Sequence, residues 1–382
     1  RPDGRRPWLS VLSKPAGPID DSSEDGRPQP SSDVAPPVVE ADRVTFRFLQ
    51  GHAGTESVSL VQEVADPRTG PALSPVGGGS WEGVFLRPDV DRFEYRFELG
   101  YSGGGHEMVL DPANPLRAPG AFGERSVIEF PDYEPPAWLT AEPRPGDVRE
   151  LDVPSRFLGE VQPSIVWSAA GTAPQSPLPL LVALDGPEFA RFSGLLQMLE
   201  AEVARGALPP MRAVLCQPTR RDEHYTASPE FAQYLAHELI PAVERLGAIA
   251  PQGRFRAGLG ASLGGLALLH AHRSSPELFG ALFLQSSSFF QRGSQPGSGH
   301  VERIESFVTE VLGEPSWHDP IPIAMTCGTV ERNLENNRQA AAALVRQGYP
   351  AALHVVRDAH NWIAWRDAWT PHLVDLLAKA WS

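Results

Sequence analysis

After about residue 148 the chain alternates short apolar runs with longer amphipathic ones, and few architectures accept that pattern. The short runs are "SIVWSAA", "PLPLLVALDG", "MRAVLCQP", "GRFRAGLGA", "ALFLQSSS", "IPIAMTCGT" and "AALHVVRDA". Between them lie "FARFSGLLQMLEAEVARGAL", "SPEFAQYLAHELIPAVERLG", "GLALLHAHRSSPELFG", "HVERIESFVTEVL" and "LENNRQAAAALVRQG", and "AWRDAWTPHLVDLLAKA" closes the chain; all read with helical spacing. "PLPLLVALDG" is continuously apolar, as a strand covered on both faces must be. Strand–helix alternation implies right-handed crossovers and a mostly parallel sheet covered by helices, an α/β architecture.

The preceding third has another texture. "RVTFRFL", "ESVSLVQEV", "SWEGVFL", "RFEYRFEL" and "HEMVLDP" are short, alternating and rich in aromatic and β-branched residues, with Gly, Pro and Asp between them. They predict a small antiparallel, immunoglobulin-like β-sandwich over 41–131. Residues 1–40 are dominated by Pro, Ser, Asp and Gly and predict an irregular segment. "PDYEPPAWLTAEPRPGDVRE" reads as a proline-stiffened linker over 132–150, and 151–382 as the catalytic domain.

The chemistry is concentrated in "FRAGLGASLGGLALLHA". Its centre, Gly260-Ala261-Ser262-Leu263-Gly264, matches G-x-S-x-G with a strand before it and a helix after it. That turn lifts a serine hydroxyl above the carboxyl edge of the sheet, with Gly260 and Gly264 allowing close backbone approach. It also aims the Leu263 N–H at the same point, half of an oxyanion hole, and the loop after "LLVALDG" supplies the other half through Gly186; Asp185 reads as a turn residue. A serine needs a base, and the chain order on such sheets is serine, acid, histidine. His360 lies on the loop after the last strand; His354 sits within a strand and His372 within the last helix. The acid follows the strand before, where Glu331 is the leading candidate; Asp358 and Glu335 are alternatives, as is a dyad without an acid.

Together these segments resemble the enterochelin (enterobactin) esterase family, which hydrolyses ferric catecholate siderophores. The likeness runs from about residue 40 to 380. It rests on "SWEGVFLRPDVDRFEYRFEL", "LDPANP", "FPDYEPPAWL", "ALDGPEFA", "RRDEHYTASPEFAQYLAHELIPAVE", "GASLGGLALL", "CGTVERNLENNR" and "DAHNWIAWRDAW". The resemblance implies an α/β-hydrolase domain behind the sandwich and, as substrate, a siderophore ester carried as its ferric complex. Arginine suits the planar oxygens of such a ligand. Arg220, Arg221 and Arg332, with Arg338 further along, are the loop cations implied, and Trp362 and Trp365 are placed to stack on an aromatic acyl group or to pack the last helix. No cofactor or resident metal is required, iron arriving with the substrate.

The net charge of −14 argues against nucleic acid or an anionic membrane as partner. No apolar run reaches the length of a membrane span. "RPDGRRPWLS" leads into proline and acid, so no secretory signal is expected and a cytoplasmic enzyme is the default. Cys216 and Cys327 lie in apolar strands and read as buried thiols. The rival readings are a general carboxylesterase, such as one acting on acetylated carbohydrate with the sandwich as accessory module, and a binding protein on a hydrolase scaffold.

Overall fold

The computed structural model describes residues 35–49, 54–142, 144–291, 299–313 and 320–382. Most of the segment read as irregular, 1–40, lies outside them.

The first part is two antiparallel sheets. One has the order β1 (Val38–Val39), β2 (Arg43–Leu49), β6 (Ser80–Leu86), β5 (Ser74–Gly77). The other runs β4 (Thr69–Ala72), β3 (Thr55–Gln62), β7 (Arg92–Tyr101), β10 (Arg125–Glu129), β9 (Arg117–Ala118), with β8 (His106–Val109) also paired to β7. Period-two alternation sends Val44, Phe46 and Phe48 of β2 inward to meet Phe93, Tyr95, Phe97 and Leu99 of β7. Their rings meet edge to face, Phe46 on Tyr95 at 4.9 Å and Phe48 on Phe97 at 5.2 Å. The opposite face of β7 is exceptional: Arg92 and Glu94 alternate with the core residues yet are also buried. That face is covered by the second domain.

The second part is one eight-stranded sheet of order β11 (Asp147–Pro154), β12 (Val161–Ser168), β14 (Arg212–Cys216), β13 (Leu180–Leu184), β15 (Arg256–Ala261), β16 (Ala281–Gln285), β17 (Ile323–Gly328), β18 (Ala351–Val356). Only β12 runs against its neighbours; the other pairings are parallel. Each face carries its own core. Leu180, Val182 and Leu184 of β13 join one, with Phe231, Leu266 and Leu344, while Leu181 and Ala183 join the other, with Phe189, Leu199 and Trp369. The connection after β13 goes to β14 on one side, whereas β15 flanks β13 on the other. That reversal makes the carboxyl ends of β13 and β15 a topological switch point, the place where open α/β sheets bind ligands. The α/β-hydrolase sheet and the antiparallel sandwich expected from the sequence are both present.

Four local expectations are corrected. The stretch read as linker contains the first strand, since β11 starts at Asp147 and pairs along its length with β12. The helix expected after β13 is two, α1 (Gly186–Ser193) and α2 (Leu195–Ala204), parted by Gly194 at φ 71°. "SPEFAQYLAHELIPAVERLG" is divided too; Ser228 caps its start by accepting the Phe231 N–H, and a wide turn at Leu235–Leu239 precedes Pro241, which has no N–H for the regular ladder. The closing helix begins earlier, at Trp362, and breaks at Thr370, whose φ −109°, ψ 117° are the extended dihedrals a following proline favours. Among the described residues no helix is long and apolar enough to cross a membrane.

Candidate active site

Ser262 ends β15 and opens the helix Leu263–Ser274. Its backbone is strained, at φ 55° and ψ −121°. Such dihedrals cost about 1–3 kcal/mol and persist only where neighbours dictate them. The end of β16 does so from both sides: Ser262 N–H donates to Gln285 O at 2.8 Å, and Ser288 N–H donates to Ser262 O at 3.1 Å. Asp185 and Ser286 share the anomaly, at φ 53° and 47°. All three directly follow strands β13, β15 and β16, and of the non-glycine residues at positive φ among those described only Ala227 lies away from this stretch of the sheet's carboxyl edge.

The glycines around the serine divide their work differently from the motif reading. A Cβ on Gly260 would lie 2.6 Å from the Gly264 carbonyl carbon, so this position tolerates no side chain. A Cβ on Gly264 would make ordinary contact, 3.4 Å from Leu184 Cβ. The second crowded position is Gly265, where a Cβ would sit 2.1 Å from Ser287 Oγ.

His360 lies on the loop after β18. Its Nδ1 is 2.7 Å from Glu331 Oε2, on the loop after β17. Glu331 is only 2% exposed and His360 39%. Glu331 Oε1 accepts from Ser286 Oγ at 2.6 Å and from Gly328 N–H at 2.8 Å, and Trp365 Nε1–H donates to the same serine oxygen at 3.0 Å. Burial pushes the Glu331 carboxyl up, but the bonds from His360, Ser286 and Gly328 outweigh it and hold it below the usual range. Trp365 also stands edge-on to the imidazole at 5.0 Å.

The other two acids are engaged elsewhere. Glu335 is exposed and accepts from Gln339 Nε2 at 3.1 Å. Asp358 accepts from Ala359 N–H at 2.7 Å and Asn361 Nδ2 at 3.2 Å and lies 3.6 Å from Arg92 of the sandwich. Burial pushes Asp358 up to about 7, with Arg92 pulling against it.

The elbow and the histidine segment are joined through one residue, Gln285. Its carbonyl takes the Ser262 N–H, while its side-chain Nε2 donates to Trp365 O at 2.9 Å. Ser262 Oγ itself lies 3.2 Å from Ser288 Oγ, a buried hydroxyl that no motif marks. Ser286 and Ser288 were missed for the same reason: "QSSS" looks like any strand exit, and only its adjacency to β15 in the sheet marks it.

Leu263 and Gly186 are the first residues of helices that start at adjoining strand ends. Gly186 presses on β14, where a Cβ would meet Leu215 Cα at 2.4 Å. Asp185 just before it is anchored: its N–H donates to Tyr225 Oη at 3.2 Å, and its carboxylate accepts from Arg221 at 2.7–3.0 Å.

The implied substrate cations are all in ion pairs. Arg221 holds Asp185. Arg220 bridges Glu160 at 2.7 Å and Glu223 at 2.6 Å and donates to Leu158 O. Arg332 reaches Asp66 of the sandwich, and Arg338 stands near Glu335. Trp362 is half-buried and packs edge-on against Phe189 at 5.2 Å and Trp365 at 5.0 Å. His354 and His372 stack on each other at 3.9 Å. Cys216 and Cys327 are free and buried, and burial pushes both thiols up.

A family model described as "Putative esterase" matches residues 167–376. The chain is 26% identical over 304 residues to the iron(III) enterobactin esterase of Escherichia coli O6:H1, covering 77% of this chain and 73% of that one. It is 32% identical over 198 residues to the iron(III) enterobactin esterase of Dickeya dadantii, covering 49% and 45%. The crystal structure of the Shigella flexneri enterobactin esterase in the presence of enterobactin superposes with a TM-score of 0.73 at 19% identity, over 89% of this chain and 92% of that one. The resemblance read from the sequence is thereby upheld, and the chain, more than half of which that family model matches, belongs to the family described as "Putative esterase".

Proposed function

We propose that the protein is a serine esterase that opens the ester bonds of a catecholate-type siderophore, carried as its ferric complex, so that iron is released inside the cell. What supports the catalytic assignment above all is the 2.7 Å bond between His360 and the buried Glu331, on loops at the same carboxyl edge of the sheet as the strained Ser262. What supports the substrate class is the relation to the iron(III) enterobactin esterases.

The reaction runs as two acyl transfers. Glu331 holds the proton on His360 Nδ1, leaving Nε2 to take the Ser262 proton as Oγ attacks the ester carbonyl. The N–H groups of Leu263 and Gly186 hold the developing oxyanion, each contributing on the order of 3 kcal/mol. His360 returns the proton to the departing alkoxide, and water, activated by the same imidazole, then cleaves the acyl-enzyme. In this reading the Ser262 hydroxyl exchanges its 3.2 Å contact with Ser288 for His360 when substrate is bound. Hydrolysis shortens the chelating scaffold and so weakens its hold on iron.

Arg220, Arg221 and Arg332 are the cations proposed to meet catecholate oxygens, each exchanging a carboxylate partner for the substrate. Trp362 is proposed as an apolar wall beside them. The chain is proposed to be organised as the sandwich, which begins with β1 at Val38 rather than at 41 and runs to about 131, a connector from 132, and the catalytic domain, which begins with β11 at Asp147. Its place is the cytoplasm and its partner a small molecule.

A substrate panel tests the reading. Iron-loaded and iron-free catecholate trilactones are compared with p-nitrophenyl acetate, products being read by mass. The expected result is a kcat/KM for a ferric trilactone above that for the acetate. Faster turnover of the acetate than of every trilactone overturns the siderophore assignment and leaves a general carboxylesterase.

A further inference from the structure

The loops that carry Glu331 and His360 both rest on the sandwich. Ala359, immediately before His360, is buried within the sandwich's own aromatic core, and Val330, immediately before Glu331, packs against that core. Polar contacts repeat the pattern. Asp91 N–H donates to Arg357 O at 2.9 Å, Arg357 Nε donates to Asp91 at 2.9 Å, and the Thr329 hydroxyl donates to Asp89 O.

At the centre of this contact stands Arg92, on the outward face of β7 and 2% exposed. One guanidinium nitrogen donates to Asn361 Oδ1 at 3.1 Å and lies 3.6 Å from Asp358; another donates to Glu94 at 3.1 Å. Asn361 Oδ1 in turn accepts from Ile363 and Ala364 N–H, capping the helix Trp362–Asp367 that follows the histidine. The two residues Arg92 grips, Asp358 and Asn361, therefore bracket His360 on either side. Burial works against the arginine's charge, but Asp358 and Glu94 outweigh it and keep it protonated.

We infer that the sandwich is a positioning scaffold for the acid–base pair, and that Arg92 is the positioning residue that fixes His360 against Glu331 from the neighbouring domain. The inference rests on the esterase reading above and deepens it. Arg92 does not touch the reacting atoms. It acts by denying the histidine loop the freedom to drift, and a displacement of about 1 Å at a base costs on the order of 10²-fold in rate.

The test uses the full chain, p-nitrophenyl acetate and the low-field proton resonance of an imidazole N–H bound to a carboxylate. Arg92→Met is expected to lower kcat about 10²-fold with KM changed less than about threefold, and to weaken or abolish the resonance. Arg92→Lys is expected to recover part of both. Arg47→Met, on an exposed ion pair elsewhere in the sandwich, is expected to leave both unchanged. A folded Arg92→Met variant that keeps either the wild-type kcat or the wild-type resonance overturns the proposal. Should that variant not fold, Asp358→Asn serves: a loss of at least about tenfold in kcat at constant KM supports the scaffold, and wild-type kcat overturns it. Ser262→Ala run alongside separates the two levels, because its retention of hydrolysis defeats the esterase reading itself, whatever Arg92 does.

Discussion

Ser262→Ala is expected to lower kcat by about 10⁵–10⁶-fold, the loss seen when the nucleophile of a serine hydrolase is removed. The magnitude follows from the site's economy of parts: the oxyanion donors remain, so binding survives while the covalent path disappears. KM should change little, since the small hydroxyl contributes almost nothing to ground-state contact. The strained backbone adds a second, opposite effect. At φ 55° and ψ −121° a glycine is at ease where alanine is not. Ser262→Gly should therefore be as inactive as the alanine variant yet more stable than it by about 1 kcal/mol, measured by denaturant titration. Equal stability of the two would mean that the elbow stores no strain.

Glu331→Gln is expected to lower kcat by about 10³–10⁴-fold with the fold intact. Oε1 already accepts two hydrogen bonds, from Ser286 and Gly328, so the amide oxygen of glutamine is drawn to that side. Its NH₂ then faces His360 Nδ1, where a donor now stands (in the wild type Oε2 accepts). The imidazole must switch its proton to Nε2, and the nitrogen needed to take the serine proton is no longer basic. Glu331→Asp, which retains an acceptor at shorter reach, should lose less. Stability carries the same signature. Because the folded carboxyl lies below its ordinary value, it contributes stability that is present above that value and lost as pH falls through the lower, folded one. The glutamine variant should lack this acid-side loss. A kcat within tenfold of wild type would remove Glu331 from the mechanism.

Much of this site could be read from the chain because it is local. A strand, a glycine-flanked serine and a helix are contiguous, and a histidine on the loop after the last strand is found by position alone. Glu331 was harder, since three carboxylates sat within reach in sequence. The choice among them depends on hydrogen bonds from Gly328 and Ser286, of which only the first is local. Ser286 and Ser288 come from a strand exit more than twenty residues beyond the nucleophile, and β-sheet adjacency is what brings them to it. Arg92 was invisible for a stronger reason. In "RFEYRF" an arginine and a glutamate alternate with aromatic residues, which is the pattern of a strand with one face in water; their burial follows only when the other domain covers that face. The misplaced boundaries have the same origin. "GDVRE" is polar enough for a linker, and β11 forms because β12 offers it an edge, not because its own residues insist. The break at Thr370 follows from Pro371, which interrupts an otherwise helical pattern.

Every step of the mechanism requires Ser262 to be a nucleophile activated by His360. A fluorophosphonate probe reads this directly, because it phosphonylates only a serine with a competent base and oxyanion site. Intact mass should show one adduct per chain, and peptide mapping should place it on Ser262, with labelling lost in both Ser262→Ala and His360→Ala. An adduct mapped to another residue, or equal labelling of the Ser262→Ala chain, contradicts it.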